Sequence, residues 1–332
     1  MMVSYGEIQA SNARISDATA PQVAVFVGAT SGIGNITVKA LVATGASVRI
    51  YLVGRKSSKE RIGTFIKELH AINPNAEVIW TEGEVALLAE TKRVCETIQE
   101  KESQVDLLFL SAGYAPFDGR SETTEGLDIA QSLEYYSRIL FIQALLPQLK
   151  QSKAPRVISV LGGGQERTNI DVDDLELKKP GSLHGARAQI LYTAMNTVAL
   201  EKLATDNPSV TFLHSYPGWV NTGNVRRGID MSSPWGIFVS IFLGPLIGLV
   251  GSGDEEAGQR FLFQCTSAAF GGRGVPWAGK PGVNSLEKQA NGLYLVNSKC
   301  NCTPNAKVVS TLREKASTKI WDHTQEIVGR YL

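Results

Sequence analysis

VAVFVGATSGIGNITVKAL, residues 23–41, is the stretch that decides the fold. A run of apolar, mostly β-branched residues (23–27) enters Gly28, Gly32 and Gly34, and apolar side chains then recur at helical spacing over 33–42. A strand that passes through glycines into a helix suits a pyrophosphate. Glycine allows a sharp turn and close backbone approach, and the phosphate charge then sits at the positive N-terminus of the helix. Glycine triplets alone are common; the strand–turn–helix setting gives this one meaning. Gly28, Thr30, Ser31, Gly32, Ile33 and Gly34 are therefore the expected phosphate-binding residues.

Outward from this turn, strand-like runs at 48–53, 76–80, 106–110, 156–161 and 210–214 alternate with helical patterns at 61–72, 87–98, 129–149 and 189–205. That alternation predicts an α/β protein with a doubly wound parallel sheet. No Pro/Gly/Ser-rich or charge-rich linker divides the 332 residues, so one domain over 21–332 is expected behind a polar extension, 1–20. The net charge of +1, with no basic block, argues against nucleic acid as a partner. The first twenty residues lack an apolar core of the secretory kind, which makes a cytoplasmic location the expectation. The four cysteines, Cys95, Cys265, Cys300 and Cys302, form no framework. They read as reduced surface thiols, with no metal site.

The Gly-x-x-x-Gly-x-Gly spacing resembles the short-chain dehydrogenase/reductase family, which implies a Rossmann-type sheet and a nicotinamide dinucleotide. Three further segments carry the resemblance over about residues 20–225. Leu110-Ser111-Ala112-Gly113 is similar to the family's Asn-Asn-Ala-Gly turn, with both asparagines replaced. Glu84-Val85 stands where the family has an acidic and an aliphatic residue beside the adenine, and Pro217-Gly218-Trp219-Val220-Asn221-Thr222 resembles the Pro-Gly-x-Val-x-Thr turn beside the nicotinamide. The resemblance thus implies cofactor contacts from Glu84, Val85, Ser111, Ala112, Gly113, Pro217, Gly218 and Thr222. At the end of the second strand an NAD enzyme usually offers a carboxylate to the ribose; here stand Gly54, Arg55 and Lys56. Guanidinium can grip a 2′-phosphate that a carboxylate would repel, so NADP(H) is the expected cofactor.

The family's Ser-Tyr-Lys-Asn set is not matched. The serine position falls on Gly162 and the asparagine position on Glu134; the Tyr-x-x-x-Lys pair falls on Gln189 and Thr193 in one register, or on Tyr192 and Asn196 in another. Neither register supplies a lysine. Tyr192, with Asn196, is one acid/base candidate and Glu166 is a second; Arg138, Arg187 and Lys202 are the cations that could lower a tyrosine's pKa.

Glu134–Arg138, Ser159–Gly163, the 173–175 loop, 194–197 and 321–324 resemble divergent short-chain dehydrogenases of fungal natural-product clusters. Such relatives commonly lack the full set; some reduce, and others guide isomerisation or cyclisation. The charge-free stretch 231–253 lies in the region that closes over the substrate in this family, which implies a lid near 226–255 and a hydrophobic small molecule. Its dense apolar part is too short to span a membrane and holds Gly244-Pro245, while surface docking and self-association stay open. The expectation is an NADP(H)-dependent oxidoreductase of specialised metabolism with an atypical catalytic set. The alternatives are a redox-silent isomerase or cyclase in the same pocket, and, last, a dinucleotide sensor.

Overall fold

A computed structural model describes residues 2–114, 119–179, 185–218 and 253–332. Seven parallel strands form one sheet, β1 (Val23–Val27), β2 (Arg49–Gly54), β3 (Glu77–Glu82), β4 (Leu107–Leu110), β5 (Arg156–Val160), β6 (Thr211–Ser215) and β7 (Leu293–Val296), in the order β3-β2-β1-β4-β5-β6-β7. The central strands β1, β4 and β5 are buried along their whole length, as strands covered on both faces are, and β1 and β4 are wholly apolar.

Two cores sandwich the sheet. On one face lie α1 (Tyr5–Asn12), α2 (Gly32–Val42), α3 (Lys59–Ile72) and α8 (Asp254–Thr266). On the other lie α4 (Leu88–Gln99), the segment 129–151, α7 (Gly185–Asp206) and α9 (Ala306–Val328). Arg156, buried at the start of β5, bonds the carbonyls of Gln264, Ser267, Phe270 and Arg273, so a cation closes the C-terminal end of α8.

The five strands and four helices expected outward from the glycine turn are present, with one difference. The single helix expected at 129–149 begins as α5 (Ile129–Gln131), widens into a π turn at Ser132–Tyr136, and continues as α6 (Ser137–Gln151). Apolar periodicity cannot register one extra residue in a turn. In the N-terminal stretch, α1 buries Ile8 and ties Asn12 to Gln259 of α8. The thiols were expected at the surface, yet Cys95, Cys265 and Cys300 are buried and Cys302 is partly so. Among the described residues, no helix is long and apolar enough to cross a membrane. The lid expected near 226–255 lies outside the described residues, apart from its last three.

Candidate functional site: a cleft where the strand order reverses

The strand order reverses between β1 and β4, which opens a cleft beyond their carboxyl ends. Its wall is built from Gly28, Thr30, Ser31, Gly32, Ile33, Val53, Gly54, Arg55, Glu84, Val85, Ser111, Ala112 and Gly113, and it continues inward to Tyr114, Ile129 and Leu133. Eleven residues expected from sequence to hold the cofactor thus meet in one cleft. Four lie elsewhere. Gly34 packs beneath it, where a Cβ would come within 2.8 Å of the Ala29 Cα. Lys56 is exposed and opens the turn Lys56–Ser58. Pro217 follows β6, and Gly218, at φ 69°, is seated against Ser298. Thr222 lies outside the described residues.

The cradle fits a dinucleotide on its own geometry. Gly28 has φ 96°, and a Cβ there would overlap the Ala112 backbone amide, so only glycine lets the β1 turn and the β4 turn touch. Gly32 opens α2 at φ 63° in the cleft wall, and the first amides of a helix, which have no partner within it, suit an anion. At the outer end a Cβ on Gly54 would stand 2.5 Å from Thr30 Cγ2 and 3.0 Å from the Trp80 ring, so no carboxylate fits at that position as the chain is folded. Arg55 lines the wall beside Glu84, whose carboxyl is raised by burial while Arg55 pulls it back down.

The catalytic candidates Tyr192, Asn196 and Glu166 are not among the residues of that wall. Tyr192 is wholly buried; its phenol donates to Asp128 at 3.2 Å, and burial drives its pKa far above the ordinary value. The phenol is thus held protonated against Asp128. Asn196 is a strut. Its amide donates to the Glu134 and Tyr192 carbonyls, both at 2.8 Å, and its oxygen accepts from Ser159 Oγ at 3.0 Å. One of those carbonyls belongs to the π turn, which frees backbone groups that need such partners.

Glu166 pins the loop after β5. Its carboxylate accepts from the Gly164 amide at 2.9 Å, Thr197 Oγ1 at 2.7 Å and Asn305 Nδ2 at 3.0 Å. The Gly162 amide donates to His214 Nε2 at 3.2 Å, so the ring proton sits on Nδ1, where it meets Thr197 Oγ1 at 2.8 Å. Burial and the nearby Arg138 charge push the His214 pKa down to about 3. The imidazole is therefore neutral, and its 3.9 Å approach to Glu166 is no ion pair.

In the register that places the Tyr-Lys pair on Gln189 and Thr193, both residues stand beside other replaced family positions. Any side chain on Gly162 would overlap Thr193, and Gln189 Nε2 donates to Glu134 Oε2 at 2.6 Å. Glu134 lies against the cleft wall: a Cβ on Gly113 would stand 2.6 Å from its Oε1, and the Tyr114 backbone bonds its carboxyl. Burial lifts its pKa to about 7, against the pull of Arg138 and the Gln189 bond. Arg138 bonds the carbonyls of Leu133, Val160 and Ala112 and the Ser159 hydroxyl, which fastens the π turn to the ends of β4 and β5. Of the other cations, Arg187 is exposed and Lys202 pairs with Asp206 over Trp321. Sequence reasoning put Glu134 at a family position but gave it no role; a carboxylate where the family has a neutral amide was the available signal.

A family model described as short chain dehydrogenase matches residues 22–168. An oxidoreductase of Emericella nidulans, AN1596, is 35% identical over 99% of each chain, and the oxidoreductase lepF of Aspergillus flavus is 41% identical over 80% of each. Among solved structures, YwfH, an NADPH dependent reductase involved in bacilysin biosynthesis, superposes with a TM-score of 0.54 at 19% identity, covering 74% of this chain and 91% of its own.

Proposed function

The chain belongs to the short-chain dehydrogenase/reductase family, and from that premise we propose that it is an NADP(H)-dependent oxidoreductase acting on a hydrophobic small molecule of specialised metabolism. The observation that carries the cofactor preference is the outer end of the cleft. Gly54 has no room for the carboxylate that would take a ribose hydroxyl, and the next residue offers a guanidinium in the wall.

When bound, a nicotinamide supplies or accepts hydride. In this reading the chain's own residues do the rest. The α2 amides and the Gly28 turn hold the phosphates, Val85 covers the adenine side, and Ala112 and Gly113 floor the inner end. Ile129, Leu133 and Tyr114 make that end apolar, which suits a hydrophobic carbonyl, imine or alcohol, and the charge-free sequence 231–253 agrees.

Fluorescence titration of the wild type and of Arg55→Ala with NADPH and NADH tests the cofactor assignment. The wild type should bind NADPH the more tightly, and the variant should lose about tenfold for NADPH alone, as expected of one exposed charge-assisted contact of about 1.5 kcal/mol. Equal wild-type affinities for the two cofactors would refute it. Gly162, Gln189 and Thr193, where the family has Ser, Tyr and Lys, favour a second reading, a redox-silent isomerase or cyclase in the same cleft. Product formation without NADPH consumption would select it.

A further inference from the structure

We propose that Glu134, held by Gln189, carries the proton traffic of this cleft in place of the absent Tyr-Lys pair; this rests on the oxidoreductase reading above. As a carbonyl carbon accepts hydride from the dihydronicotinamide, its oxygen takes the proton of the Glu134 carboxyl. The carbonyl is reduced, the nicotinamide is oxidised, and the resulting carboxylate regains its proton from water. Alcohol oxidation runs the same transfers backwards.

Three independent features point to Glu134. It sits in the π turn Ser132–Tyr136, a helix irregularity that recurs at functional sites, and the turn's freed Glu134 carbonyl is secured by Asn196. Its carboxyl lies against the backbone of Gly113, a glycine of the cleft wall whose missing side chain makes the room. Finally, Gln189 comes from α7 at the position where, in one of the two registers, the family has its tyrosine, and its amide donates to Glu134.

The surroundings set the proton affinity. Arg138 favours the charged form, Asp128 opposes it, and burial opposes it most, leaving the carboxyl near pH 7. From α7 the facing groups are the Gln189 amide and the Tyr192 phenol, which stays neutral, and from the β4 turn the Tyr114 backbone. A carboxyl poised there can give a proton as an acid and take one as a base. A merely structural residue would be served as well by glutamine, which keeps the bond to Gln189 without the buried charge.

The test uses the full chain and the two redox forms of NADP as probes. Infrared difference titration of the wild type should show a protonated carboxyl band lost with a midpoint near pH 7, and Glu134→Gln should lack it. The affinity for NADP+ relative to NADPH should rise on the order of fivefold through that midpoint, because the carboxylate then faces a positive ring. In Glu134→Gln the ratio should be flat. Gln189→Leu removes a donor to the charged form and should move the midpoint up by about one pH unit, a readout that survives if Glu134→Gln does not fold. A carboxyl band unchanged in Glu134→Gln, or a midpoint indifferent to Gln189→Leu, would overturn the proposal. So would a pH-independent affinity ratio in the wild type. Failure to bind either cofactor would sink the oxidoreductase reading with it, whereas binding without a Glu134-dependent midpoint would sink this inference alone.

Discussion

Replacing Arg138 with methionine probes the joint that gives the cleft its shape. The guanidinium is buried and bonds three carbonyls, those of Ala112 at 2.7 Å, Val160 at 2.9 Å and Leu133 at 3.2 Å. Methionine fills much of the volume but offers no donor. Each orphaned buried carbonyl should cost about 1–2 kcal/mol, or about 3–6 kcal/mol together. Against this stands the desolvation that the arginine bears and methionine does not. Burial lowers the guanidinium pKa from 12.5 to about 10, which corresponds to about 3 kcal/mol. The net loss should be about 0–3 kcal/mol, or a fall of up to about 4 °C in melting temperature for a chain of 332 residues. Thermal melts by circular dichroism, with and without NADPH, would measure it. Glu134 would also lose its compensating cation, so its midpoint should rise above 7. A higher melting temperature, with NADPH affinity intact, would refute the view that Arg138 fastens the ends of β4 and β5.

Gly28→Ala should lower NADPH affinity at least about tenfold and lower the melting temperature as well, since the added Cβ meets the Ala112 backbone at a φ of 96°. Tyr192→Phe should cost about 1 kcal/mol by urea unfolding and leave cofactor binding and turnover unchanged, and a collapse of turnover would return the phenol to the chemistry. His214 has a folded pKa near 3, below its unfolded value of 6.5, so its contribution is intact above pH 6.5 and is lost as pH falls toward 3. The stability gap between wild type and His214→Gln should therefore narrow by about 1.4 kcal/mol per pH unit below 6.5 in urea titrations at graded pH. A gap that stays constant with pH would mean that the imidazole is not held neutral.

The sequence by itself determined the sheet and the glycine turn that helps to wall the cleft. Strand runs, helix periodicity and the glycine turn are local patterns, and each is set by neighbours within a few residues. The same holds for the replaced catalytic residues: that Ser and Lys are missing could be read directly from Gly162 and from either register of 189–196. The edge strand β7, only Leu293–Val296, was too short to stand out, and its place is set by pairing with β6. Tertiary structure alone decided what the polar residues do. Tyr192, Asn196 and Glu166 looked equally eligible for chemistry as letters, yet each is consumed by partners 30 or more positions away, Asp128, Ser159 and Asn305 among them. Glu134 gained its role in the opposite way. An extra residue in a helical turn set its carboxyl against Gly113, and burial there, which no local pattern encodes, fixed how tightly it holds a proton.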